Sequence, residues 1–310
     1  MAKTSHSKHS VTAGEVGQRF DKVLSALIPQ LSRTKVQALI VAGAALVNDK
    51  AVAKHYFLEE GDVIMYAVPE EKKLTKVVRP TDFMLNVLHE DDDVVVVEKP
   101  VGLLTHAAES THEWTLADEL LKKYPDIKGV GDSEERFGIV HRLDRDVSGV
   151  MVVARTQEAF ENLKKQFQDR VIEKEYRAVV HGVPHRTHDD IRFVITRSTM
   201  DPSKMAARPE NAEGKSAWTE YDVLRSHRNL SELRVLIHTG RTHQIRAHLL
   251  AISHPVVGDT LYTSKQYESN KSFDRLYLHA HRLTFTHLKT AQKVEFLSEI
   301  PTEFDQLMTS

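Results

Sequence analysis

The sequence predicts an α+β protein of two domains, a small helical-hairpin unit ahead of a larger one built on a mixed, largely antiparallel sheet. Three observations predict it. At 310 residues the chain is long enough for two domains of unequal size. The charged stretch Pro69–Pro80, with Glu70-Glu71-Lys72-Lys73, reads as a linker (69–80) between units at 15–68 and 81–310. Downstream of it, strands follow one another without a regular βαβ rhythm, which favours hairpin connections over a doubly wound parallel sheet.

Composition narrows the function classes. The apolar share of 41% and charged share of 28% are those of a soluble globular protein. No apolar run approaches a membrane span, and Met1–Ser10 lacks the apolar core of a signal peptide, so a cytoplasmic protein is expected. That His/Ser/Lys-rich start has little to bury, and a disordered tail over residues 1–14 is expected. The absence of cysteine excludes disulfides, thiolate catalysis and Cys-based zinc or iron–sulfur sites. Net charge is −2, yet Gly17–Lys54 carries six Lys or Arg (Arg19, Lys22, Arg33, Lys35, Lys50, Lys54) against two acids, a local basic patch suited to phosphate.

The elements follow in order. Phe20, Val23, Leu24 and Leu27 share one helix face that ends near Pro29. Ser32 is placed to cap a second helix, with Val36, Leu39 and Ile40 as its buried stripe and Gly43 as its stop. Short strands at Ala45–Asn48 and Ala51–Ala53 flank the turn at Asn48-Asp49-Lys50, and Leu58–Tyr66 closes the unit. In the second unit the valine run Asp93–Glu98 predicts a buried strand, and Thr115–Tyr124 a short helix. Gly149–Arg155 is a strand, and Gln157–Arg170 a helix with Phe160, Leu163 and Phe167 on one face. Strands at Tyr176–His181, Ile191–Thr196, Ala217–Leu224 and Glu232–His238 precede a helix from about Thr242 to Ile252. His281–Thr286 and Lys293–Phe296 read as a terminal hairpin.

The densest chemistry is His141-Arg142-Leu143-Asp144, followed by Ser148-Gly149 and the apolar run Val150–Ala154. It sets an imidazole, a guanidinium and a carboxylate at the mouth of a buried strand, where unpaired charge is costly. Taken alone, the cluster could equally be a structural Asp–Arg pair and a turn. Four further blocks accompany it: Glu98–Leu103 (EKPVGL), Glu173–Ala178 (EKEYRA), Thr239–His248 (TGRTHQIRAH) and Leu276–Leu283 (LYLHAHRL).

In order, wording and spacing, these five blocks resemble the RluA-type RNA pseudouridine synthases across Asp82–Pro301. Leu31-Ser32-Arg33 through Leu39-Ile40, then Gly43 and Leu46-Val47-Asn48, resembles the S4 RNA-binding domain that often precedes those enzymes. Two positions depart from the patterns. Asp49 stands where the S4 family usually has Gly, and Val147 where the synthases usually have Thr.

The resemblance implies uridine-to-pseudouridine isomerisation, which breaks a C–N glycosidic bond, turns the free uracil and rebonds it through carbon. No energy donor or redox cofactor is required. It makes Asp144 the catalytic carboxylate, acting as nucleophile or as base on a sugar proton. Arg246 would hold that carboxylate ionised, and Tyr176 would pack on the base and relay a proton. Arg142 would hold the extruded nucleotide. Arg241, Lys99, Arg33 and Lys35 are further RNA-binding candidates, Lys99 by lining the same cleft. The substrate implied is large-subunit ribosomal RNA, with transfer RNA as the alternative, and the architecture implies a monomer without a cofactor.

His279 and His281 would share one strand face, but with no cysteine and no third ligand in view no metal site is expected. His141 is expected to shape its loop, and His243 and His248, five apart, do not share a helix face well. Two rival classes remain. A non-catalytic ribosome-assembly factor would not need Asp144, Tyr176 and Arg246 together. An N-glycosidase pairing Asp144 with Asp146 would place both carboxylates on one side of a strand, leaving none opposite.

Overall fold

The computed structural model of the chain describes residues 5–29, 31, 33–68, 84–107, 113–133, 136–267 and 273–309. The expected linker, the Ser32 cap and the side chain of Lys35 lie outside them. The chain divides into two compact units, Met1–Thr75 and Lys76–Ser310.

The first unit runs β1 (Ser5–Ser10), α1 (Phe20–Leu27), α2 (Arg33–Val41), β2 (Ala45–Val47) and β3 (Val63–Val68), with strand order β1-β3-β2. Phe20, Val23 and Leu24 of α1 bury against Val36 and Ile40 of α2 and against Val47 and Ile64 of the sheet. Asp21 is fully buried and accepts from Arg19 (3.0 Å), Arg33 (3.2 Å) and Gln37 (2.8 Å), so the helical hairpin is pinned by one carboxylate. Asn48 and Asp49 both adopt left-handed backbone (φ 50° and 60°), the geometry of a tight primed hairpin turn, which Asp enters at modest cost. Asp49 in place of Gly is thereby accommodated.

Two expectations fail in this unit. Ser5–Ser10 is a strand rather than part of a disordered tail, paired antiparallel along β3 from Ser5↔Val68 to Ser10↔Val63. Backbone hydrogen bonds on an otherwise open sheet edge recruit a segment whose sequence carries no apolar residue. Ala51–Ala53 forms no strand, because the primed turn closes with the Val47↔Lys50 bridge and the chain then leaves the sheet.

The second unit contains β4 (Asn86–Glu90), β5 (Val94–Lys99), α3 (Leu116–Lys123), β6 (Ser148–Ala154), α4 (Gln157–Gln168) and β7 (Glu173–His181). It continues with β8 (His188–Ile191), β9 (Val194–Arg197), β10 (Met205–Arg208), β11 (Lys215–Ser216), β12 (Thr219–His227) and β13 (Leu230–Ile237). It ends with α5 (Gln244–Ala251), β14 (Leu278–Thr286), β15 (Lys293–Leu297) and α6 (Thr302–Thr309). The main sheet is ordered β4-β5-β6-β14-β7-β13-β12-β8, with β15 also on β14. Among the described residues, β6–β14 is the one parallel pairing of strands in the main sheet, which bears out the mixed, largely antiparallel sheet.

Continuous apolar runs become the strands covered on both faces: Val94–Val97 and all of β6 are buried. At the β6–β14 crossing, a Cβ on Gly149 would stand 2.1 Å from the Ala280 carbonyl oxygen, so only glycine lets the two backbones meet. Thr115 caps α3 in a reciprocal box with Asp118, and Thr156 caps α4. The strand expected at Ile191–Thr196 is two, β8 and β9, and β9 leaves the main sheet to form a small one, β10-β9-β11.

Candidate active site

Residues 140–147 form the loop that enters β6, and apolar anchors fix it. Leu143 and Val147 are buried on either side of Asp144. Val147 thus serves as an anchor where a hydroxyl was expected. Thr105 Oγ1 donates to the Leu143 carbonyl (2.8 Å), and Val147 N donates to the Asp144 carbonyl (3.2 Å). His141 Nε2 accepts from Val152 N of β6 (3.0 Å), its ring stacked on Phe167. Burial pushes His141 down to about 3, so it is a neutral brace and not a base.

Lys99 departs from expectation. It is fully buried, and Nζ donates to the carbonyls of Pro100 (2.9 Å), Leu103 (2.8 Å) and Arg145 (2.9 Å). Burial pushes it down to about 7, offset by the charges of Asp144 and Asp146, and three carbonyl acceptors favour the ammonium. Lys99 clamps the underside of the Asp144 loop and does not line the cleft. A chain position after a strand does not say which way a lysine turns.

Asp144 is half-buried, and Arg246 NH1 donates to its Oδ2 at 3.2 Å. Arg246 sits on α5 with its side chain only 6% exposed, and a second carboxylate grips its other edge. Asp259 Oδ2 accepts from Nε (2.7 Å) and Oδ1 from NH2 (2.9 Å), while Oδ1 also accepts from the backbone N–H of Leu261 and Tyr262. The guanidinium lies 4.8 Å over the Tyr262 ring. Bidentate to one carboxylate and stacked on a ring, it presents its remaining NH1 to Asp144 in a fixed direction. Among the described residues, Asp144 Oδ1 accepts no hydrogen bond.

Gln244 opens α5 and ties down the preceding loop, accepting from Thr239 Oγ1 (2.6 Å) and Arg241 N (3.1 Å). His243 takes the left-handed conformation there (φ 53°), with Nδ1 2.8 Å from the Tyr262 hydroxyl and Nε2 3.9 Å from Asp144 Oδ2. His248, on the buried side, instead meets Thr219 Oγ1.

Asp144, His243, Gln244 and Arg246 line a cleft of about 620 Å³ that also contains Tyr176, Arg142 and Arg241. Tyr176 is 8% exposed, and burial together with the Asp144 charge pushes its phenol up, so it stays protonated. Arg142 is exposed at the cleft, NH1 3.4 Å from His106 Nε2. Of the lining side chains, seven are Lys or Arg and one, Asp144, is a carboxylate. Asp146 is exposed and does not line the cleft, so the hydrolytic pairing with Asp144 has no geometric basis.

Arg33 belongs to the other unit; its side chain is 61% exposed while one NH2 holds Asp21. His279 and His281 are taken up by Ser148 Oγ and by the Ser298 carbonyl. Two clusters with ligand-like spacing exist among the described residues, Asp91/Asp93/His287 and His188/Glu220/Asp222. Lys289 already stands on Asp93 and Arg234 on Asp222, and neither cluster reaches the cleft.

The structure therefore brings the sequence-predicted Asp144, Tyr176, Arg142, Arg241 and Arg246 into one cleft, whereas sequence reading misses Asp259, Tyr262 and His243. Gly258-Asp259 reads only as a turn, and nothing local says that its carboxylate grips an arginine on a helix.

Residues 93–251 match the RNA pseudouridylate synthase family, and residues 18–64 match the S4 domain. The chain is 38% identical to an uncharacterized RNA pseudouridine synthase of Aquifex aeolicus, covering 93% of this chain and 92% of the other. It is 37% identical to ribosomal large subunit pseudouridine synthase D of Neisseria meningitidis, covering 94% and 78%. Among solved structures, human RNA pseudouridylate synthase domain containing 1 superposes with a TM-score of 0.57 at 26% identity, covering 72% of this chain and 86% of that one.

Proposed function

This chain belongs to the RNA pseudouridylate synthase family, with an S4 domain ahead of the catalytic unit, and from that premise we propose that it isomerises uridines of large-subunit ribosomal RNA with Asp144 as the catalytic carboxylate. The observation that carries the assignment is the line Asp144–Arg246–Asp259 in a cationic cleft. One carboxylate opens to the cleft, a buried guanidinium donates to it at 3.2 Å, and a second, buried carboxylate keeps that guanidinium in place.

Each step of the reaction has a group suited to it. The basic lining attracts the RNA backbone, and extraction of the target nucleotide costs a few kcal/mol that Arg142 and Tyr176 offset at the cleft. Asp144, with Oδ2 anchored, offers Oδ1 as nucleophile or as base on the sugar. Both routes break the C–N bond and leave uracil to turn against the Tyr176 ring. Once the carbon has rebonded, its proton must leave and the freed ring nitrogen must gain one; the Tyr176 hydroxyl relays it, giving up its own proton as it takes the one from carbon. Arg33 and Arg241 are assigned to backbone contact, and Lys35 is assigned with them from its place on α2. The proposal includes a cytoplasmic monomer that needs no cofactor; no described helix is long and apolar enough to cross a membrane.

The test is pseudouridine mapping of total RNA from cells lacking the protein, complemented with wild type or with Asp144→Ala. Sites in large-subunit RNA that vanish and return only with wild type are expected. Sites confined to transfer RNA would move the substrate, and restoration by Asp144→Ala would remove that residue from the chemistry.

A further inference from the structure

Beyond the residues around Asp144, one wall of the cleft holds three cations: Arg170 just past α4, Lys174 on β7 and Arg241 before α5. Lys174 is half-buried, its ammonium 5.8 Å over the Phe167 ring. Among the described residues it has neither a hydrogen-bond partner nor a carboxylate. Burial, then the charges of Arg170 and Arg241, push it down to about 8. The other groups near it offer no relief. His141 is neutral, Lys164 is paired with Asp132, and Glu173 and Glu175, neighbours along β7, are paired with Lys293 and Arg282.

Arg170 adds an independent observation. It occupies left-handed backbone (φ 60°) immediately after the helix, the position where glycine is favoured, and a side chain there costs about 1 kcal/mol. Its guanidinium has no partner among the described residues. Arg241 spends Nε on the Ser216 carbonyl (3.0 Å), and its two terminal nitrogens make no hydrogen bond among the described residues. Three cations gathered without a counter-charge repel one another, and a bound anion removes that cost.

We propose that Arg170, Lys174 and Arg241 form a binding site for one phosphodiester of the RNA beside the extruded nucleotide. The assignment rests on the cleft being the RNA site of a pseudouridine synthase. It makes these three residues positioning groups, which set the register of the strand over Asp144 without touching the reacting atoms. Occupation favours the charged form of Lys174, so binding takes up a proton at alkaline pH. RNA affinity accordingly falls as pH rises from 7 to 9 and the free lysine loses its charge.

The experiment measures Kd of the full chain for a labelled hairpin transcript with a uridine-rich loop, as a function of salt and pH. Lys174→Gln and Arg170→Gly should each weaken binding and lower the slope of log Kd against log salt by about one unit. Arg170→Gly suits the left-handed backbone, so its loss of affinity cannot be ascribed to misfolding. Lys174→Arg should keep the slope and abolish the weakening between pH 7 and 9, because arginine stays charged. Unchanged slopes in both charge-deleting variants overturn the site. Inorganic phosphate is titrated separately against the thermal midpoint. Stabilisation by phosphate with unchanged RNA slopes would assign the site to a free anion and also overturn the proposal. A lowered slope in a protein that makes no pseudouridine would keep the phosphate site and sink the isomerase. An active enzyme with unchanged slopes would do the reverse.

Discussion

Replacing Asp259 by Asn tests whether the active-site arginine is held from behind. The carboxylate is fully buried and accepts at least four hydrogen bonds, two from Arg246 and two from the backbone N–H of Leu261 and Tyr262. Asparagine keeps the shape but turns one oxygen into a donor. The remaining oxygen best serves the three donors around Oδ1, which leaves Arg246 Nε–H facing an N–H. One charge-assisted bond is lost, about 1.5–3 kcal/mol, and the arginine keeps a single carboxylate, Asp144, at 3.2 Å. Removing a partner from a buried ion pair costs about 3–5 kcal/mol, so about 3 kcal/mol is expected for this milder change. In a unit of this size that is a fall of about 6–12 °C in Tm. Catalysis should suffer separately, since a displacement of about 1 Å at a positioned group can cost about 100-fold. Thermal or urea unfolding gives the first quantity, and single-turnover pseudouridine formation at saturating RNA gives the second. Arg246→Met combined with Asp259→Asn should cost less stability than the sum of the two, because no unpaired buried charge remains. A loss below about 1 kcal/mol with a turnover rate within about threefold of wild type would refute the reasoning.

The fold carries two further expectations. Burial pushes His141 down to about 3 and His248 and His279 to about 4, so between pH 6.5 and 4 the unfolded chain binds protons that the native one does not. Stability is therefore full above pH 6.5 and lost on acidification, by about 1–2 kcal/mol per histidine at pH 5; urea midpoints at pH 7.5 and 5.0 check this, and a flat profile contradicts it. Gly149→Ala forces a methyl against the Ala280 carbonyl at 2.1 Å in the parallel β6–β14 pairing of the main sheet. It should cost more than about 3 kcal/mol or abolish soluble expression, and near-wild-type unfolding would show that the crossing can yield.

Local rules were enough for much of this molecule. The valine run of β5, the apolar β6 and the capped α3 and α4 follow from patterns a few residues long, and the structure keeps them. The polar Ser5–Ser10 strand and the division between β8 and β9 were not legible. The first depends on a neighbour's open edge, and the second on a change of sheet that leaves the apolar pattern of Ile191–Thr196 unbroken. Within the site, Asp144, Tyr176 and Arg246 carry their residue types in short, recognisable phrases. Lys99 carried one as well, yet its ammonium turned inward to three carbonyls.

By itself, then, the sequence determined the family, the order of the elements and the groups that chemistry requires, because these depend on residue type and spacing along the chain. The resemblance already implied that Arg246 of α5 partners Asp144, 102 residues earlier, but tertiary structure alone decided that Asp259 holds that arginine from behind. It likewise gathered Arg170, Lys174 and Arg241 on one wall of the cleft. A charge's partner is set by where the sheet brings distant backbones together, and the field it feels by what burial removes from water.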